Sequence, residues 1–375
     1  MQIYYFTSAI LDLTQAHSNA IVEMVNAFTN ENCSVTLYGL TTNKHLSQIN
    51  SVLNNKVIKR IKILKEQTGW VKKKLNTITT YLQILLWLIS IKHLENDLIF
   101  VRGDKAAVCV LLMKSLSFGK IRYIVELHNY EFGKKKPLLD SIQKKILNGS
   151  LLAITISEYT KDGWVKNGVS SEKVLVIPSG VNINAFNNIT GSRVDLRREL
   201  GIEETKRVVT YAGKIGKHRG IEEIAFIAQK NPEIQFYLIG NVEMCLNKYN
   251  KISNMGFLGY KPKEELLRYL ICSDILLAPY SNEISTAKHM SPLKLMEYMA
   301  SVTPILIADL PRIRDIVSEE EVTFFDANNP HDLEKKLIWI NNNPDIANLK
   351  ANKSAEKVKR YSWECRVKSI LDNIQ

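Results

Sequence analysis

Several features that define particular protein classes are missing from this chain of 375 residues. Its five cysteines are isolated from one another and form no CxxC pair: Cys33, Cys109, Cys245, Cys272 and Cys365. An odd set of scattered thiols argues against a disulfide framework or a zinc site and fits a reducing compartment. With only 17 glycines and 10 prolines, the composition also excludes fibrous and low-complexity proteins.

Long apolar runs and targeting signals are scarce as well. The longest apolar stretch, Tyr81–Ile91, is interrupted by Gln83 and Ser90 and falls short of the ~20 residues that a membrane-spanning helix needs. The amino terminus MQIYYFTSAI has no basic region and no cleavage site, so it predicts a buried first strand rather than a signal peptide. A cytoplasmic protein is expected, with peripheral contact to the inner face of the membrane as an option.

One phosphate-binding motif and one metal-binding motif are also absent. No GxxxxGK[ST] sequence occurs, which disfavours a P-loop NTPase, and no DxD-like pair at a strand end calls for a divalent ion. What is present is 45 % hydrophobic and 23 % charged residues, typical of a packed protein whose length predicts two domains.

The positive charge is concentrated in one half. Of the net +12, residues 1–185 contribute +10 and residues 186–375 contribute +2. The densest run, 56–74, has eight basic residues against Glu66, and Lys134–Lys136 adds a second cluster. Beside Trp70, Tyr81 and Trp87, this charge suits either an anionic membrane surface or an ordinary solvated face. No nucleic-acid module accompanies it, so no nucleic-acid partner is expected.

Apolar β-rich runs alternate with amphipathic helical stretches along the whole chain, which predicts two doubly wound parallel sheets. The expected strands of the first domain are 2–7, 34–40, 97–103, 122–128, 151–157 and 174–180, and those of the second are 207–213, 234–240, 255–260, 274–280, 303–309 and 322–327. The Asn-rich segment 181–192 is interpreted as the linker. The predicted domains are 1–183 and 184–355, with a carboxyl-terminal helix at 356–375 that crosses back to the first domain. Two such halves create a cleft between the carboxyl ends of the strands, where α/β sheets bind ligands.

The strongest local motif is YAGKIGKHRGIEEI (211–224), a strand that turns through Gly213, Gly216 and Gly220 into a helix. Glycines allow close backbone approach, and a helix start offers free amides to an anion. Lys214, Lys217 and Arg219 add three cations. The motif alone fits either a diphosphate site or a structural turn.

A second motif is HMSPLKLMEYMASVTPILIAD (289–309). Ser291 is a suitable N-cap and Pro292 a suitable first-turn residue, so a helix start is expected there. Glu297 lies in the second turn among apolar residues, where a carboxylate is either a solvated edge residue or a buried acceptor for hydroxyls.

Together these segments resemble the family-4 retaining glycosyltransferases of the GT-B fold, typically bacterial enzymes of polysaccharide and glycolipid synthesis. The resemblance covers nearly the whole chain. It is carried by IPSGVNINAF (177–186), AGKIGKHRG (212–220), GFLGY (256–260), SPLKLMEYMASVTPIL (291–306) and YSWECR (361–366). The resemblance implies two Rossmann-like domains that face each other across a cleft. It also implies transfer of a sugar from a nucleotide-diphosphate sugar to a saccharide or lipid-linked acceptor, as in capsule or lipopolysaccharide synthesis.

Several residue roles follow from the resemblance. Lys214 and Arg219, next to Gly213, are similar to the cations that hold and neutralise the diphosphate, and Glu297 to the acid that binds the ribose hydroxyls. Ser291 and the backbone amides of Leu293 and Lys294 are expected near the distal phosphate. The edge of the base pocket is expected at Gly256, Phe257 and Leu258, and His128 matches the histidine beside the transferred sugar.

The chain departs from the family pattern at two places. Many members have an acid where this chain has His289, so Glu283 or His289 is the expected substitute for that sugar contact. The glycine pair after the first strand is missing, and the loop at Gln15, Ala16, His17 and Ser18 either covers the phosphates or acceptor or simply begins a helix. No cofactor or metal is expected, because the cations replace a metal ion. The alternatives are a nucleotide-sugar epimerase of the same fold and a non-catalytic sugar- or membrane-binding module.

Overall fold

The structure, a computed structural model, describes residues 1–64, 70–91, 97–128, 131–133, 137–243, 246–249, 251–283 and 292–374, with residues 70–76 described as helical backbone only. The chain forms two compact units. One contains Met1–Ser179 together with Trp363–Gln375, and the other contains Gly180–Ser362. Residues 180–183 and 356–362, which the sequence-based boundaries assign elsewhere, are therefore part of the second unit.

In the described part of the first unit, seven strands form one parallel sheet. The strands are β1 (Gln2–Leu11), β2 (Ser34–Thr41), β3 (Ile58–Ile63), β4 (Leu98–Arg102), β5 (Arg122–Glu126), β6 (Leu152–Thr155) and β7 (Val174–Val176). The helices are α1 (Ala16–Asn30), α2 (Asn43–Val52), α3 (Trp70–Ser90), α4 (Asp104–Leu116), α5 (Pro137–Gly149), α6 (Glu158–Lys166) and, at the far end of the chain, α15 (Trp363–Asp372).

The strand order β3-β2-β1-β4-β5-β6-β7 reverses direction between β1 and β4, as in a doubly wound fold. The inner strands β4, β5 and β6 are buried along almost their whole length, because helices cover both faces of such a sheet. Their apolar runs are therefore continuous rather than alternating. The predicted parallel sheet is confirmed.

Strand β3 was not predicted, so the expectation of six strands in this sheet is wrong. Its sequence IKRIKI lies inside the basic run, and its side chains are exposed or half-buried. The strand is at the edge of the sheet, where lysine and arginine discourage pairing with another chain. The positive charges of Lys59, Arg60 and Lys62 thus protect the edge of the sheet.

Helix α3 presents one face to the sheet. Ile84 and Leu88 are fully buried, whereas Ile78, Leu82, Leu86 and Ile89 are between 55 % and 66 % exposed. Trp87, expected at the surface, is half-buried with its ring 5.3 Å from that of Tyr38, and Tyr81 also packs against the core. Among the described helices, none combines the length and apolar character that crossing a membrane requires.

In the described part of the second unit, six strands form a parallel sheet of order β10-β9-β8-β11-β12-β13. The strands are β8 (Arg207–Ala212), β9 (Ile234–Ile239), β10 (Met255–Gly259), β11 (Ile275–Ala278), β12 (Ile305–Asp309) and β13 (Thr323–Asp326). The helices are α7 (Ile183–Asn187), α8 (Arg193–Glu199), α9 (Ile221–Lys230), α10 (Lys263–Cys272), α11 (Leu293–Ala300), α12 (Pro311–Arg314), α13 (Pro330–Asn342) and α14 (Pro344–Val358).

These six strands confirm the predicted second sheet, but the predicted linker is wrong. Segment 181–192 includes α7, and Val181 and Phe186 are buried in the core of the second unit. Val181 also pairs with Ser362 in a parallel bridge. Helix α7 has only five residues, which is too short for its apolar side chains to show a helical repeat among the asparagines.

Candidate functional site

The strand order of the second unit reverses between β8 and β11, where a hydroxyl group separates the two strands. The pair is in register only at Ile275–Val209 and Leu276–Thr210. Beyond that point, the Tyr298 hydroxyl accepts a hydrogen bond from the Ala212 amide at 2.8 Å and donates one to the Leu277 carbonyl at 3.2 Å. This bond fixes α11 at the carboxyl ends of the strands. Tyr298 was not selected from the sequence, although a buried tyrosine usually finds a partner for its hydroxyl.

The loop after β8 is held by backbone contacts to the loop after β9. Gly240 has φ +145°, and a Cβ atom there would lie 2.0 Å from the Gly213 carbonyl oxygen. Ile215 then pairs with Val242 in a parallel bridge. Only glycine fits at position 240, because the clash involves backbone that cannot rotate away.

Helix α9 begins directly at this strand reversal. Gly220, its N-cap, has φ +75°, and a Cβ atom there would lie 2.4 Å from two side-chain carbons of Pro279. The amides of the first turn of α9 are therefore close to the end of β11. The predicted strand-turn-helix arrangement is present, with the turn fixed by Gly220 and by the left-handed His218 (φ 56°).

The predicted diphosphate cations differ in their surroundings. Lys214 is exposed, and its Nζ atom lies 2.8 Å from Oε1 of Glu243, whose pKa falls because of this hydrogen bond and charge. Arg219 is half-buried and has no carboxylate within ion-pair distance among the described residues. Its charge is felt by Lys294 and by Tyr280.

Lys294 contributes its ammonium group, not only its backbone amide. Its Nζ atom lies 3.9 Å from the ring centre of Tyr211 and 5.1 Å from that of Tyr280. The side chain also lies against Gly213, since a Cβ atom there would be 3.0 Å from Lys294 Nζ. Burial, together with the charge of Arg219, lowers the pKa of Lys294 to about 7, although Glu297 opposes the shift. A third cation of adjustable charge thus joins the predicted pair, a role that the sequence analysis did not assign to it.

Glu297 lies on the same helix as Lys294 and Tyr298. Its side chain is 25 % exposed, and its Oε1 atom forms an ion pair with Lys263, the first residue of α10. A half-buried carboxylate with one lysine partner retains lone pairs for further hydrogen bonds. This geometry suits the predicted contact with hydroxyl groups.

Of the two predicted substitutes for the missing acid, only Glu283 is described. Its Oε2 atom lies 2.7 Å from Nδ1 of His218, and both side chains are exposed. His218 was not selected from the sequence. His289 and Ser291 lie outside the described residues, and their assigned roles stay predictions.

The predicted base-pocket segment is strand β10, at the edge of the second sheet. Gly256 lies against the ring of Tyr237, with 3.2 Å from an added Cβ to the nearest ring carbon. Phe257 and Leu258 pack partly into two different apolar clusters. The strand ends at Gly259, whose carbonyl accepts the Gly240 amide at 2.8 Å, so it reaches the same loop system as Gly213.

In the first unit, His128 follows β5 and forms a hydrogen bond with Glu126 through its Nε2 atom. Oε1 of Glu126 also lies 3.6 Å from Arg102 and 3.1 Å from Arg366. Burial would raise the pKa of Glu126, but the two arginines hold it well below its usual range. Burial, then the charge of Arg102, lowers the pKa of His128. The hydrogen bond and charge of Glu126 oppose this shift, and the net direction favours a neutral imidazole beside a carboxylate anion.

The loop that lacks the family's glycine pair begins a helix. Gln15 is the N-cap of α1, and Ala16 and His17 are exposed in its first turn. Ser18 is buried, with its hydroxyl accepting the Asp12 amide at 3.0 Å. Ser18 thus braces the turn, and the role of these residues towards a ligand stays a prediction. Within the described ranges, no three His, Cys, Asp or Glu side chains lie close enough together to hold a metal ion.

Two family models match the chain, one in each half. The model "Glycosyl transferases group 1" matches residues 192–361, and "Glycosyltransferase Family 4" matches residues 18–185. The first covers the whole region from Gly213 to Glu297, and the second covers His128.

Relatives and solved structures agree with these models. An alpha-galactosylglucosyldiacylglycerol synthase from Streptococcus pneumoniae is 24 % identical over 219 residues, or 56 % of each chain. The chain thus spans about half the length of the curated relatives it matches. Sucrose-phosphate synthase from Thermosynechococcus elongatus has a TM-score of 0.75 at 15 % identity, covering 99 % of this chain and 97 % of that one. The Anabaena protein HepE, in complex with UDP and glucose, has a TM-score of 0.74 at 13 % identity and 99 % coverage of both chains.

The two sheets of doubly wound order, the cationic loop at the strand reversal and the matches to both halves lead to one conclusion. This chain belongs to the GT-B glycosyltransferases of the family-4 type.

Proposed function

We propose that the protein transfers a sugar from a nucleotide-diphosphate sugar to a hydroxyl group of a saccharide or lipid-linked acceptor, with retention of the anomeric configuration, in cell-surface polysaccharide or glycolipid synthesis. The observation that carries this proposal is the cationic surface at the strand reversal of the second unit. Lys294 lies against Gly213 and within electrostatic range of Arg219, and Lys214 follows Gly213 in the chain. Three cations close together repel one another unless an anion lies between them.

The chemistry required of these residues is mainly electrostatic. The bond between the anomeric carbon and the diphosphate oxygen breaks, and the acceptor oxygen bonds to the same carbon on the same face. The acceptor proton passes to the leaving diphosphate. Because negative charge grows on the diphosphate in the transition state, cations already fixed around it lower the barrier. Lys214 and Arg219 take this role without a metal ion.

The names of similar proteins support the donor and the acceptor class. HepE was solved with UDP and glucose, and the matched Streptococcus pneumoniae protein is a synthase of a glycosylated diacylglycerol. We therefore expect a UDP-sugar as donor and a lipid-linked or saccharide hydroxyl as acceptor. Glu297 accepts hydrogen bonds from the ribose, and His128 contacts the transferred sugar.

The first test is a thermal-shift screen against UDP-, GDP- and dTDP-sugars. A ligand at 100 times its Kd stabilises a folded protein by about 2.7 kcal/mol, which is readily measured as a rise in Tm. Release of nucleoside diphosphate is then followed with and without acceptor. Slow release without acceptor, and faster release with it, is the transferase result.

The rival functions give different results in the same assay. An epimerase converts the nucleotide sugar into its isomer with no acceptor and releases no nucleoside diphosphate. A non-catalytic module binds the donor and leaves it intact. Either outcome would refute the proposal.

A specific observation also favours contact with an anionic membrane surface. The exposed face of α3 carries an apolar stripe made of Ile78, Leu82, Leu86 and Ile89, all more than half exposed. Helix α4 packs beside α3 and ends near the exposed Leu116 and Phe118, which are 66 % and 95 % exposed. Apolar side chains on one helix face, with lysines at its start, are typical of helices that lie in a membrane interface.

Basic residues flank this stripe. Lys62 of β3 donates a hydrogen bond to Gln83 of α3 at 2.9 Å, and the sequence of α3 begins WVKKK. Each basic residue near an anionic surface contributes ~1 kcal/mol at low salt. The apolar part is carried by the stripe and not by Trp87, which packs on the core.

Vesicle sedimentation tests this contact. The variant has Ile78, Leu82 and Leu86 changed to serine, and its matched control has the exposed Ile338, Ile346 and Leu349 of the second unit changed to serine. We expect the wild type and the control to bind anionic vesicles and to lose affinity as salt screens the lysines. The stripe variant should bind weakly even at low salt.

Equal sedimentation of the stripe variant and the wild type, with matched melting curves, would refute this membrane contact. Negligible binding of the wild type to anionic and neutral vesicles alike would refute it too. A soluble saccharide would then be the expected acceptor.

A further inference from the structure

A buried cluster of charged groups lies at the carboxyl edge of the first sheet. It consists of Arg102 at the end of β4, Glu126 at the end of β5, His128 two residues later, and Arg366 of α15, all within the first unit. Glu126 is 1 % exposed and Arg366 is 2 % exposed. Burying a charged group raises the free energy of the folded state unless the group is paired. The stability of this cluster therefore depends on the ion pairs within it.

The pairing is centred on one atom. Oε1 of Glu126 faces His128 Nε2, Arg366 Nη2 at 3.1 Å and Arg102 Nη1 at 3.6 Å. Arg366 is itself anchored, because its Nη1 atom donates hydrogen bonds to the carbonyls of Ile177 and Pro178. Among the described residues, Tyr5 is a further titratable group next to the cluster, and its buried hydroxyl lies in the same charge environment.

These charges determine where the protons are. Glu126 faces two permanently charged arginines and stays ionised. His128 is kept neutral by its burial and by the same arginines. A carboxylate has no proton to donate, so the hydrogen bond between Glu126 and His128 requires a proton on Nε2. The Nδ1 atom then has a free lone pair and can only accept a hydrogen bond.

We propose that Glu126, fixed by Arg366, is a positioning residue that holds His128 in the Nε2–H tautomer, so that Nδ1 accepts a hydrogen bond from a hydroxyl of the transferred sugar. This inference rests on the proposed function, which puts His128 beside that sugar. Arg366 is 2 % exposed and pairs with Glu126, and it therefore acts on the site through Glu126 and not by contact with substrate.

This role differs from that of a general base. An imidazole poised as a base exchanges protons with solvent near neutral pH, whereas burial, followed by the charges of the two arginines, lowers the pKa of His128. The sugar contact should therefore be independent of pH over the range in which His128 stays neutral. A histidine that can only accept a hydrogen bond at Nδ1 favours sugars with a hydroxyl group at that position, and it thus contributes to sugar specificity.

The tautomer can be measured directly. In the full-length protein labelled with ¹⁵N-histidine, long-range ¹H–¹⁵N spectra distinguish Nε2–H, Nδ1–H and doubly protonated rings. The seven histidines leave a small set of signals, and His128→Gln identifies that of His128. We expect the Nε2–H pattern at neutral pH. In Glu126→Gln the side-chain amide can either donate or accept, so the signal should shift to a mixture of tautomers.

Kinetics give the second readout. We expect Glu126→Gln to lower kcat by roughly 10–100-fold, by analogy with the loss seen when a carboxylate that orients a metal-bound histidine is removed. The affinity for free nucleoside diphosphate should be unchanged, because that ligand has no transferred sugar. Arg366→Lys keeps the charge and should produce a smaller change of the same kind. Glu364→Gln, at a carboxylate of the same helix that contacts only Asn30 among its described polar partners, is the matched control and should behave as the wild type.

Three results would overturn the proposal. They are an Nδ1–H or doubly protonated His128 in the wild type at neutral pH, an unchanged His128 signal in folded Glu126→Gln, and a wild-type kcat in that variant. If Glu126→Gln does not fold, the same readouts apply to Arg366→Lys. The tautomer measurement needs no substrate, so a protein without transferase activity would refute the proposed function while the Glu126–His128 assignment is judged by its own spectrum.

Discussion

The two units share a strand order, but the cations at their carboxyl edges are in opposite states. In the first unit, Arg102 and Arg366 are at most 11 % exposed and both face Glu126. In the second unit, Lys214 is 46 % exposed and its partner Glu243 is 53 % exposed. Breaking a buried pair costs about 3–5 kcal/mol, whereas an exposed pair contributes about 0–1 kcal/mol. Arg102 and Arg366 therefore stay paired with Glu126, whereas Lys214 can leave Glu243 and bind a ligand.

The comparison predicts the largest effect at the cations of the second unit, of which Lys214 is exposed and Arg219 is half-buried. Lys214→Ala or Arg219→Ala should lower kcat by roughly 10²–10³, the usual loss for one electrostatic contact with a transition state. The Tm should hardly change, because neither side chain holds the fold together. Steady-state kinetics with a nucleotide sugar and a thermal melt measure both quantities.

Lys217→Ala is the control for that experiment. Lys217 is an exposed residue of the same loop, and its removal tests whether net charge alone matters. A wild-type kcat in folded Lys214→Ala and Arg219→Ala would contradict the assignment of these cations to the diphosphate.

Glu297→Gln should have a smaller effect that appears in binding. Hydrogen bonds to a charged acceptor contribute about 1.5–3 kcal/mol and neutral ones about 0.5–1.5, so nucleotide affinity should fall by roughly tenfold. Titration calorimetry at about pH 6 keeps Lys294 protonated and removes its titration from the comparison. Glu265→Gln, at an exposed carboxylate that pairs with Lys261, is the control. Unchanged affinity in Glu297→Gln would return this residue to an ordinary ion pair with Lys263.

Lys294 should make the nucleotide affinity of the second unit depend on pH. Its pKa of about 7 means that the free site loses this charge as pH rises above that value. A bound diphosphate raises the pKa again, so binding takes up a proton, and affinity should decline by up to about tenfold per pH unit above about 7. A nucleotide sugar is the ligand of choice, since its diphosphate diester does not titrate there.

Lys294→Met retains the bulk of the side chain and should flatten this decline between about pH 6 and 8.5. Calorimetry in buffers of different ionisation enthalpy counts the proton directly. A slope that is the same in the variant and the wild type would show that some other group titrates.

The smallest effect is expected at Glu243. Glu243→Gln removes the 2.8 Å ion pair with Lys214 and leaves the lysine free before the ligand arrives. Because exposed pairs contribute only about 0.2–1 kcal/mol, nucleotide affinity should increase by roughly two- to fivefold. Weaker binding in this variant would mean that Glu243 orients Lys214 rather than competing for it.

The sequence predicted the fold well wherever strands are buried on both faces, because continuous apolar runs are unambiguous. It failed at β3, where alternating isoleucine and basic residues form an exposed edge strand. It also misjudged Trp87, since a helical repeat does not reveal which face of α3 meets the sheet. The predicted linker was wrong for a related reason, as two apolar residues among asparagines do not indicate burial by themselves.

The candidate site was predicted in part. Lys214, Arg219 and Glu297 were selected through the family resemblance of their motifs, and the structure brings Arg219 and Glu297 within electrostatic range of Lys294. Tyr298, His218 and Arg366 were not selected, because their partners are distant in sequence: Ala212 and Leu277, Glu283, and Glu126. Such contacts depend on tertiary structure that a single sequence does not reveal.

The position of α15 has a consequence for how the protein is made. The first unit is discontinuous, with the second unit inserted between Ser179 and Trp363. During synthesis from the amino terminus, β1 to β7 emerge long before Arg366 does. Of the two arginines that the structure describes beside Glu126, the nascent chain therefore has Arg102 alone. The second unit can complete its fold first, and the first unit completes its own only when α15 docks on α1. Its charge cluster is therefore assembled last, and a chain released before α15 would have two folded sheets and a Glu126 carboxylate that lacks Arg366.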